Sequence, residues 1–199
     1  MDYVVIDLEA TCWADDTPPD RMEIIEIGAV YLHGESLEVR DEFASFVRPI
    51  HEAVLSEFCR SLTSIEQSDV DAAPGFPVAL ERFLTWLGPP VTMCSWGYYD
   101  WRQIHQDCRR HGISFPDSLQ HHLNLKLAFA KQYGGRACGM KKALRLLKLP
   151  LAGTHHRGID DARNIAKIAQ VILPRLRSSE WPGAEPAFGG PEREKDGVT

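Results

Sequence analysis

Three stretches of this sequence carry side chains fit for hydrolytic chemistry. Asp7 and Glu9 lie two residues apart at the end of a short apolar run. On a strand, residues i and i+2 face the same side. Two carboxylates placed this way repel unless a cation neutralises them or one keeps its proton. A solvated strand end would also carry such a pair, and the dipeptide alone leaves both readings open. Asp100 follows the apolar run Val91–Trp96, beyond Gly97-Tyr98-Tyr99. It opens an expected helix, where a carboxylate serves as an N-cap as well as a metal ligand. The third stretch is His155-His156-Arg157-Gly158-Ile159-Asp160-Asp161. A histidine on a glycine-containing loop there can reach a water at the carboxylates. Its ordinary pKa of ~6.5 suits a general base at neutral pH. The competing reading makes Asp160 an N-cap and leaves the histidines on an exposed loop. Taken together, the three stretches supply what phosphodiester hydrolysis needs. Two cations about 4 Å apart activate a water and stabilise the departing 3′ oxygen. Oxygen-only ligands suit magnesium or manganese rather than zinc.

The elements that must position these groups follow from periodicity. Residues 2–8 read as a buried strand, residues 10–21 as a loop, residues 23–32 and 37–48 as two more strands joined by a hairpin at His33-Gly34-Glu35. Such short connections imply an antiparallel meander. The period then changes. Residues 76–88 place Val78, Leu80, Phe83, Leu84 and Leu87 at helical spacings between Pro77 and Gly88-Pro89-Pro90. Residues 91–96 form a short strand, and 99–111, 123–133, 139–148 and 160–176 read as helices. Strand–helix alternation in the second half suggests parallel additions to the meander. The expected fold class is α/β: an RNase H-like mixed sheet of about five strands flanked by helices.

Composition narrows the classes further. A chain of 199 residues, 44% hydrophobic, fits one domain with a core large enough to need no staples. Five dispersed cysteines, with no C-x-x-C pair, argue against a disulfide framework and a structural zinc site. Free thiols in a reducing cytosol, hence a cytoplasmic protein, are the simple expectation. The N-terminus lacks the pattern of a signal peptide. No apolar stretch approaches the ~18 residues of a membrane span. A net charge of −6 counts against a protein that coats nucleic acid. It does not count against a nuclease whose positive charge is carried by bound metal. From residue 178 the composition turns to Ser, Pro and Gly, so residues 1–177 are expected to be the catalytic domain and 178–199 a flexible tail.

At this point the sequence resembles a known family. Asp7-Leu8-Glu9-Ala10-Thr11 is similar to the first motif of the DEDDh (DnaQ-like) 3′→5′ exonucleases. Ser95-Trp96-Gly97-Tyr98-Tyr99-Asp100 is similar to the second, and His156 through Asp161 fits the third, His-x4-Asp. Further strings resemble the branch of enhanced-RNAi and histone-mRNA 3′ exonucleases: Glu23 to Val30, Leu62-Thr63-Ser64-Ile65, Leu123 to Lys126, and Gly158 to Ala166. The resemblance covers about residues 2–176. It implies an exonuclease that shortens single-stranded RNA or DNA from the 3′ end, RNA favoured, releasing nucleoside 5′-monophosphates with two Mg2+ ions that Mn2+ can replace.

The same resemblance implies roles. Asp7 bridges both metals, Glu9 and Asp161 hold one, Asp100 supports the other, and His156 deprotonates the water. Ala10 and Thr11 hold the terminal 3′ hydroxyl and sugar, Leu62 and Thr63 flank the terminal nucleotide, and Trp96 either does the same or packs in the core. Asn164 orients the loop before the last helix, and Asp160 caps that helix. Relatives of this branch often carry an extra nucleic-acid-binding segment ahead of the nuclease domain. This sequence opens on the first strand, so substrate choice is expected to come from the domain or a partner. His121-His122 has no nearby carboxylate or cysteine ligand set and reads as surface or the entry to a helix. Lys141, Lys142, Arg145 and Lys148 read as the solvated face of an amphipathic helix. A scavenger of very short oligonucleotides and a non-catalytic binding relative stay open as alternatives, as does oligomeric state. A zinc hydrolase fails for want of a His-Glu-x-x-His helix.

Overall fold

The computed structural model describes residues 1–15 and 18–178. Except for Ser178, the tail expected from residue 178 onward lies outside the described residues. Three strands open the chain: β1 (Tyr3–Ala10), β2 (Ile24–Leu32) and β3 (Val39–Phe46). They form the antiparallel meander expected from their short connections. Two short helices follow, α1 (Glu57–Thr63) and α2 (Gln67–Asp71), then α3 (Phe76–Leu87). Strand β4 (Thr92–Ser95) pairs parallel to β1, and β5 (His122–Asn124) pairs parallel to β4. Helix α4 (Tyr99–Arg110) lies between them in sequence, and α5 (Leu125–Gln132), α6 (Met140–Leu147) and α7 (Gly158–Ser178) follow. The sheet order is β3-β2-β1-β4-β5. This is the five-stranded mixed sheet, flanked by helices, of the RNase H-like class.

The strand alternation decides what each face of the sheet does. Val4, Ile6 and Leu8 of β1 point into one core with Phe76, Leu80 and Phe83 of α3 and Ile104 of α4. Val5 points into the other, with Ala162, Ile165 and Ala169 of α7 and Phe129 of α5. Asp7 and Glu9 share the parity of Val5 and therefore face the α7 side. Glu26 and Gly28 of β2 lie directly opposite Glu9 and Asp7. A small third cluster, Ile25, Leu55, Cys59, Ile65 and Val70, fastens α1 and α2 beneath the end of β1.

Two sequence expectations are adjusted. Residues 123–133 begin with a strand, because Leu123 and Asn124 complete the parallel pairing to Cys94 and Ser95 before the chain turns helical. Helices α1 and α2 are too short for their apolar residues to show a helical period. They rest on local caps instead: Ser56 accepts from Cys59 N at 2.9 Å, and Glu66 N donates to Asp69 at 2.9 Å. Among the described residues no helix is long and apolar enough to cross a membrane.

The docking of α7 on β2 leaves no room for a side chain. A Cβ on Gly28 would stand 2.1 Å from the carbonyl carbon of Gly158 and 2.2 Å from the nitrogen of Ile159. Backbone faces backbone there, so neither partner can swing aside. Gly28→Ala is expected to destabilise the fold by about 3 kcal/mol or more through forced overpacking. Gly135→Ala, whose Cβ would meet nothing within 4 Å, should shift stability by less than about 0.5 kcal/mol. Urea denaturation of the two variants distinguishes these cases, and equal midpoints would show that α7 docks loosely.

Candidate active site

The site lies where β1 ends, α4 begins and α7 begins. Asp7, Glu9 and Asp161 each offer a carboxylate oxygen, and the three oxygens lie within 4.8 Å of one another. Glu9 and Asp161 are buried, and Asp7 is half-buried. Asp100, also buried, stands in the first turn of α4. Its Oδ1 accepts a hydrogen bond from Leu8 N at 3.0 Å, which ties it to β1 between the two acids. So Asp100 spans to the strand that carries Asp7 and Glu9, and it does not cap its helix through its side chain.

Electrostatics describe the same convergence. Burial, then the charges of Asp100, Glu9 and Asp161, hold the Asp7 carboxyl well above the usual carboxylate range. Burial, then Asp161 and Glu26, pushes Glu9 up to about 8. Burial raises Asp100 to about 6, although hydrogen bonds from Leu8 and Ser95 pull the other way. Among the described residues no lysine or arginine forms an ion pair with Asp7, Glu9, Asp100 or Asp161. Carboxylates packed this closely without a counter-charge suit divalent cations, and a donor set made only of oxygen suits hard ones.

Both histidines of the third stretch reach this place. His156 N donates to Asp161 Oδ2 at 3.0 Å, and the residue adopts a left-handed φ of 64°. His155 Nδ1 lies 2.8 Å from Oδ2 and 3.1 Å from Oδ1 of the same carboxylate. The two rings are 3.9 Å apart between centroids, tilted by 36°. Burial, then the neighbouring His155 charge, lowers the His156 imidazole below its ordinary range. Asp160 is not a cap: α7 begins two residues earlier, at Gly158, and Asp160 accepts from Thr154 N at 2.8 Å and pairs with Arg163. Asn164, fully buried, grips Ala152 on both sides, accepting from its N at 3.0 Å and donating to its O at 2.8 Å.

The residues expected at the terminal nucleotide divide into two kinds. Ala10 and Thr11 are buried at the end of β1, and Thr11 Oγ1 accepts from Glu23 N at 3.0 Å. Leu62 is half-buried on α1. The Thr63 hydroxyl is committed locally, donating to Cys59 O at 2.8 Å and accepting from Ile65 N at 3.2 Å, across the left-handed Ser64 that ends α1. Trp96 packs against Phe129 and donates its indole N–H to Cys138 O at 3.0 Å, the core role of its two sequence readings.

Other residues at the site were given no role there by the sequence. Tyr99 presents an exposed ring beside Asp100, and its hydroxyl end lies 4.0 Å from the Met22 sulfur. Burial, then the charges of Asp100 and Glu9, raises its phenol. Glu26, only 1% exposed, accepts from Gly158 N at 2.9 Å and from Arg157 Nε at 3.2 Å. It thus receives the first N–H of α7 and fixes where Asp161 stands. His122 lies 2.8 Å from the Ser95 hydroxyl, which in turn reaches the Asp100 carboxylate. Burial lowers His122 to about 4, so at neutral pH it is uncharged. A register pairing could have suggested Glu26, since it stands opposite Glu9 once β1 and β2 are aligned.

Comparison with known proteins gives a consistent result. A model of the family described as Exonuclease (RNase_T) matches residues 4–169. ERI1 exoribonuclease 2 of Danio rerio is 33% identical over 192 residues, covering 85% of this chain and 34% of its own length. The 3′-5′ exoribonuclease 1 of Rattus norvegicus is 34% identical over 185 residues, covering 86% of this chain and 53% of its own length. The chain therefore spans about a third to a half of these relatives. Among solved structures, the nuclease domain of 3′hExo, a DEDDh family member bound to rAMP, superposes with a TM-score of 0.82 at 31% identity. That match covers 87% of this chain and 92% of the other.

The raised carboxyls give a signed expectation. Glu9 moves from an ordinary 4.5 to about 8, and Asp100 from 3.8 to about 6. Without a cation the folded chain binds more protons than the unfolded chain across that window, so its stability falls as pH rises from about 4.5 to about 8. A bound divalent cation removes the cause. The gain in Tm on adding magnesium should therefore be larger at the top of the window than at its bottom, and Glu9→Gln should flatten the pH slope without metal. A gain independent of pH would show that these carboxyls do not hold the cation.

Proposed function

Because the chain belongs to the Exonuclease (RNase_T) family, we propose that it is a 3′→5′ exonuclease. It hydrolyses phosphodiester bonds at the 3′ end of single-stranded nucleic acid, RNA in preference to DNA, and releases nucleoside 5′-monophosphates. The convergence of the Asp7, Glu9 and Asp161 oxygens within 4.8 Å carries the reading. The names of its relatives, both exoribonucleases, support RNA as the substrate. Residues 1–177 are the proposed catalytic unit. Five free cysteines favour a reducing compartment, the cytoplasm.

Two Mg2+ ions, replaceable by Mn2+, are the proposed cofactors, held by Asp7, Glu9, Asp100 and Asp161. When bound, they supply positive charge for the transition state and lower the pKa of the attacking water. The chain's own residues do the rest. Asp7, repelled by each of the other three acids, would be held by the incoming positive charge together with them. Asp161 is held on the Asp7 side by His155 and by the backbone of His156. An imidazole nitrogen of His156 takes the proton of the attacking water. Burial lowers that imidazole and so favours the neutral ring, whose free nitrogen can accept the proton. Thr11 accepts from Glu23 N, which leaves its hydroxyl proton free to meet the terminal 3′ hydroxyl or sugar. Leu62 flanks the terminal nucleotide, and Thr63 serves by fixing the turn beside it. Tyr99, exposed next to Asp100, is the aromatic placed to stack on the last base. Trp96 supports it from the core.

A time course on 5′-labelled single-stranded RNA and matching DNA tests the reading, with magnesium, with manganese and with EDTA. The expected result is a ladder shortening from the 3′ end, faster on RNA and abolished by EDTA. Asp7→Ala should lower the rate by roughly a thousandfold or more. His156→Ala should lower it by about 10²- to 10⁴-fold and erase an acid limb lying below the ordinary imidazole value of ~6.5. Intact strands under every metal, with dinucleotides also surviving, would make the chain a binding relative without activity.

A further inference from the structure

We propose that His155, His156 and Asp161 form a second cation site, selective for zinc-like metals, which shuts the active site when filled. One donor atom from each lies within 4.8 Å of the others. Two imidazoles and one carboxylate are a donor set for zinc, whereas the neighbouring Asp7–Glu9–Asp161 set offers oxygen alone. Asp161 belongs to both sets among the described residues, so the two compete for one carboxylate.

The geometry favours exchange of a proton for a metal. His155 Nδ1 stands 2.8 Å from Asp161 Oδ2, a hydrogen-bonding separation. A cation inserted there replaces the bonded proton, which leaves to solvent, and both donor atoms keep a partner. Bonds of about 2.0–2.1 Å at a tetrahedral centre set donors roughly 3.3 Å apart. No donor pair here is more than 4.8 Å apart, the His155–Asp161 pair is already at 2.8 Å, and both rings are only half-buried. The left-handed backbone of His156 already turns its ring over that of His155 at 3.9 Å. Three protein ligands leave a fourth position open.

Filling the site has two consequences. The His156 lone pair is engaged and no longer accepts a proton from water. Asp161 is drawn away from Asp7 and Glu9. The inhibition rests on the exonuclease reading, whereas the binding does not.

Calorimetric titration with Zn2+ at constant Mg2+ tests the binding, with the visible spectrum of bound Co2+ as a second readout of imidazole ligation. The expected result is one zinc per chain. His155→Gln should weaken it by at least about tenfold, and Glu9→Gln should leave it within about twofold. Thermal unfolding of each variant establishes that it is folded. Zinc should also slow shortening of the labelled strand, and the inhibiting concentration should rise in His155→Gln by the same factor as the dissociation constant. Zinc that follows Glu9→Gln and ignores His155→Gln would place the cation in the oxygen set and overturn the proposal, as would the absence of bound zinc. Zinc bound as expected by a chain that shortens no strand would uphold the site and overturn the exonuclease reading instead.

Discussion

Where β2 passes beneath the first turn of α7, glycine meets glycine, and the distance between strand and helix is set by backbone alone. Gly28 stands opposite Asp7 in the antiparallel pairing. Gly158 begins α7 so close that a Cβ on it would stand 3.0 Å from the Asp7 carbonyl oxygen. The carboxylate three residues into that helix is thereby delivered to the strand that bears the other two. A larger residue at either position would push α7 outward, and Asp161 would go with it. The hydrophobic packing of Ala162, Ile165 and Ala169 against Val5 and Val30 continues the same contact along the helix.

This closeness sets up an electrostatic problem whose solution defines the site. Four acids stand together in a poorly solvated place, and Glu26 makes a fifth nearby. Glu26 is answered within the protein, by Arg157 and by the first N–H of α7. No lysine or arginine among the described residues answers the four others, and Asp7, Glu9 and Asp100 hold their protons unusually well. A fold optimised for stability alone would not retain them unpaired. The difference between Glu26 and its neighbours thus separates an acid that holds the structure together from acids reserved for an incoming charge.

Much of this was legible in the sequence, and what was not has physical reasons. The i, i+2 pair, the acid after the fourth strand and the His-x4-Asp stretch each depend on spacing within one element, and the structure brings Asp7, Glu9 and Asp161 together. The meander and the helices with apolar faces were legible for the same reason. Contacts between distant segments were not. Nothing local in Gly28 announces that Gly158 will lie on it, and nothing in Arg157 announces Glu26. Helices α1 and α2 are too short for periodicity and depend on single caps. The aromatic pair Trp96 and Tyr99 is ambiguous in sequence, because both precede Asp100 and only packing shows which turns inward. Asp160 is a similar case: adjacency to the start of a helix suggests a cap, while the observed start at Gly158 puts it inside the first turn.

The order of the sheet has a further meaning for synthesis. β1, which bears Asp7 and Glu9, occupies its centre, and the strands made first lie on one side of it. The partners of those acids arrive much later, Asp100 with α4 and Asp161 with α7. Domains take shape as the chain emerges, and here the meander can close long before the last acid exists. A nascent chain is therefore a scaffold with half a site. The acidic cluster is completed only when α7 has been made, after almost all of the residues that fold around it.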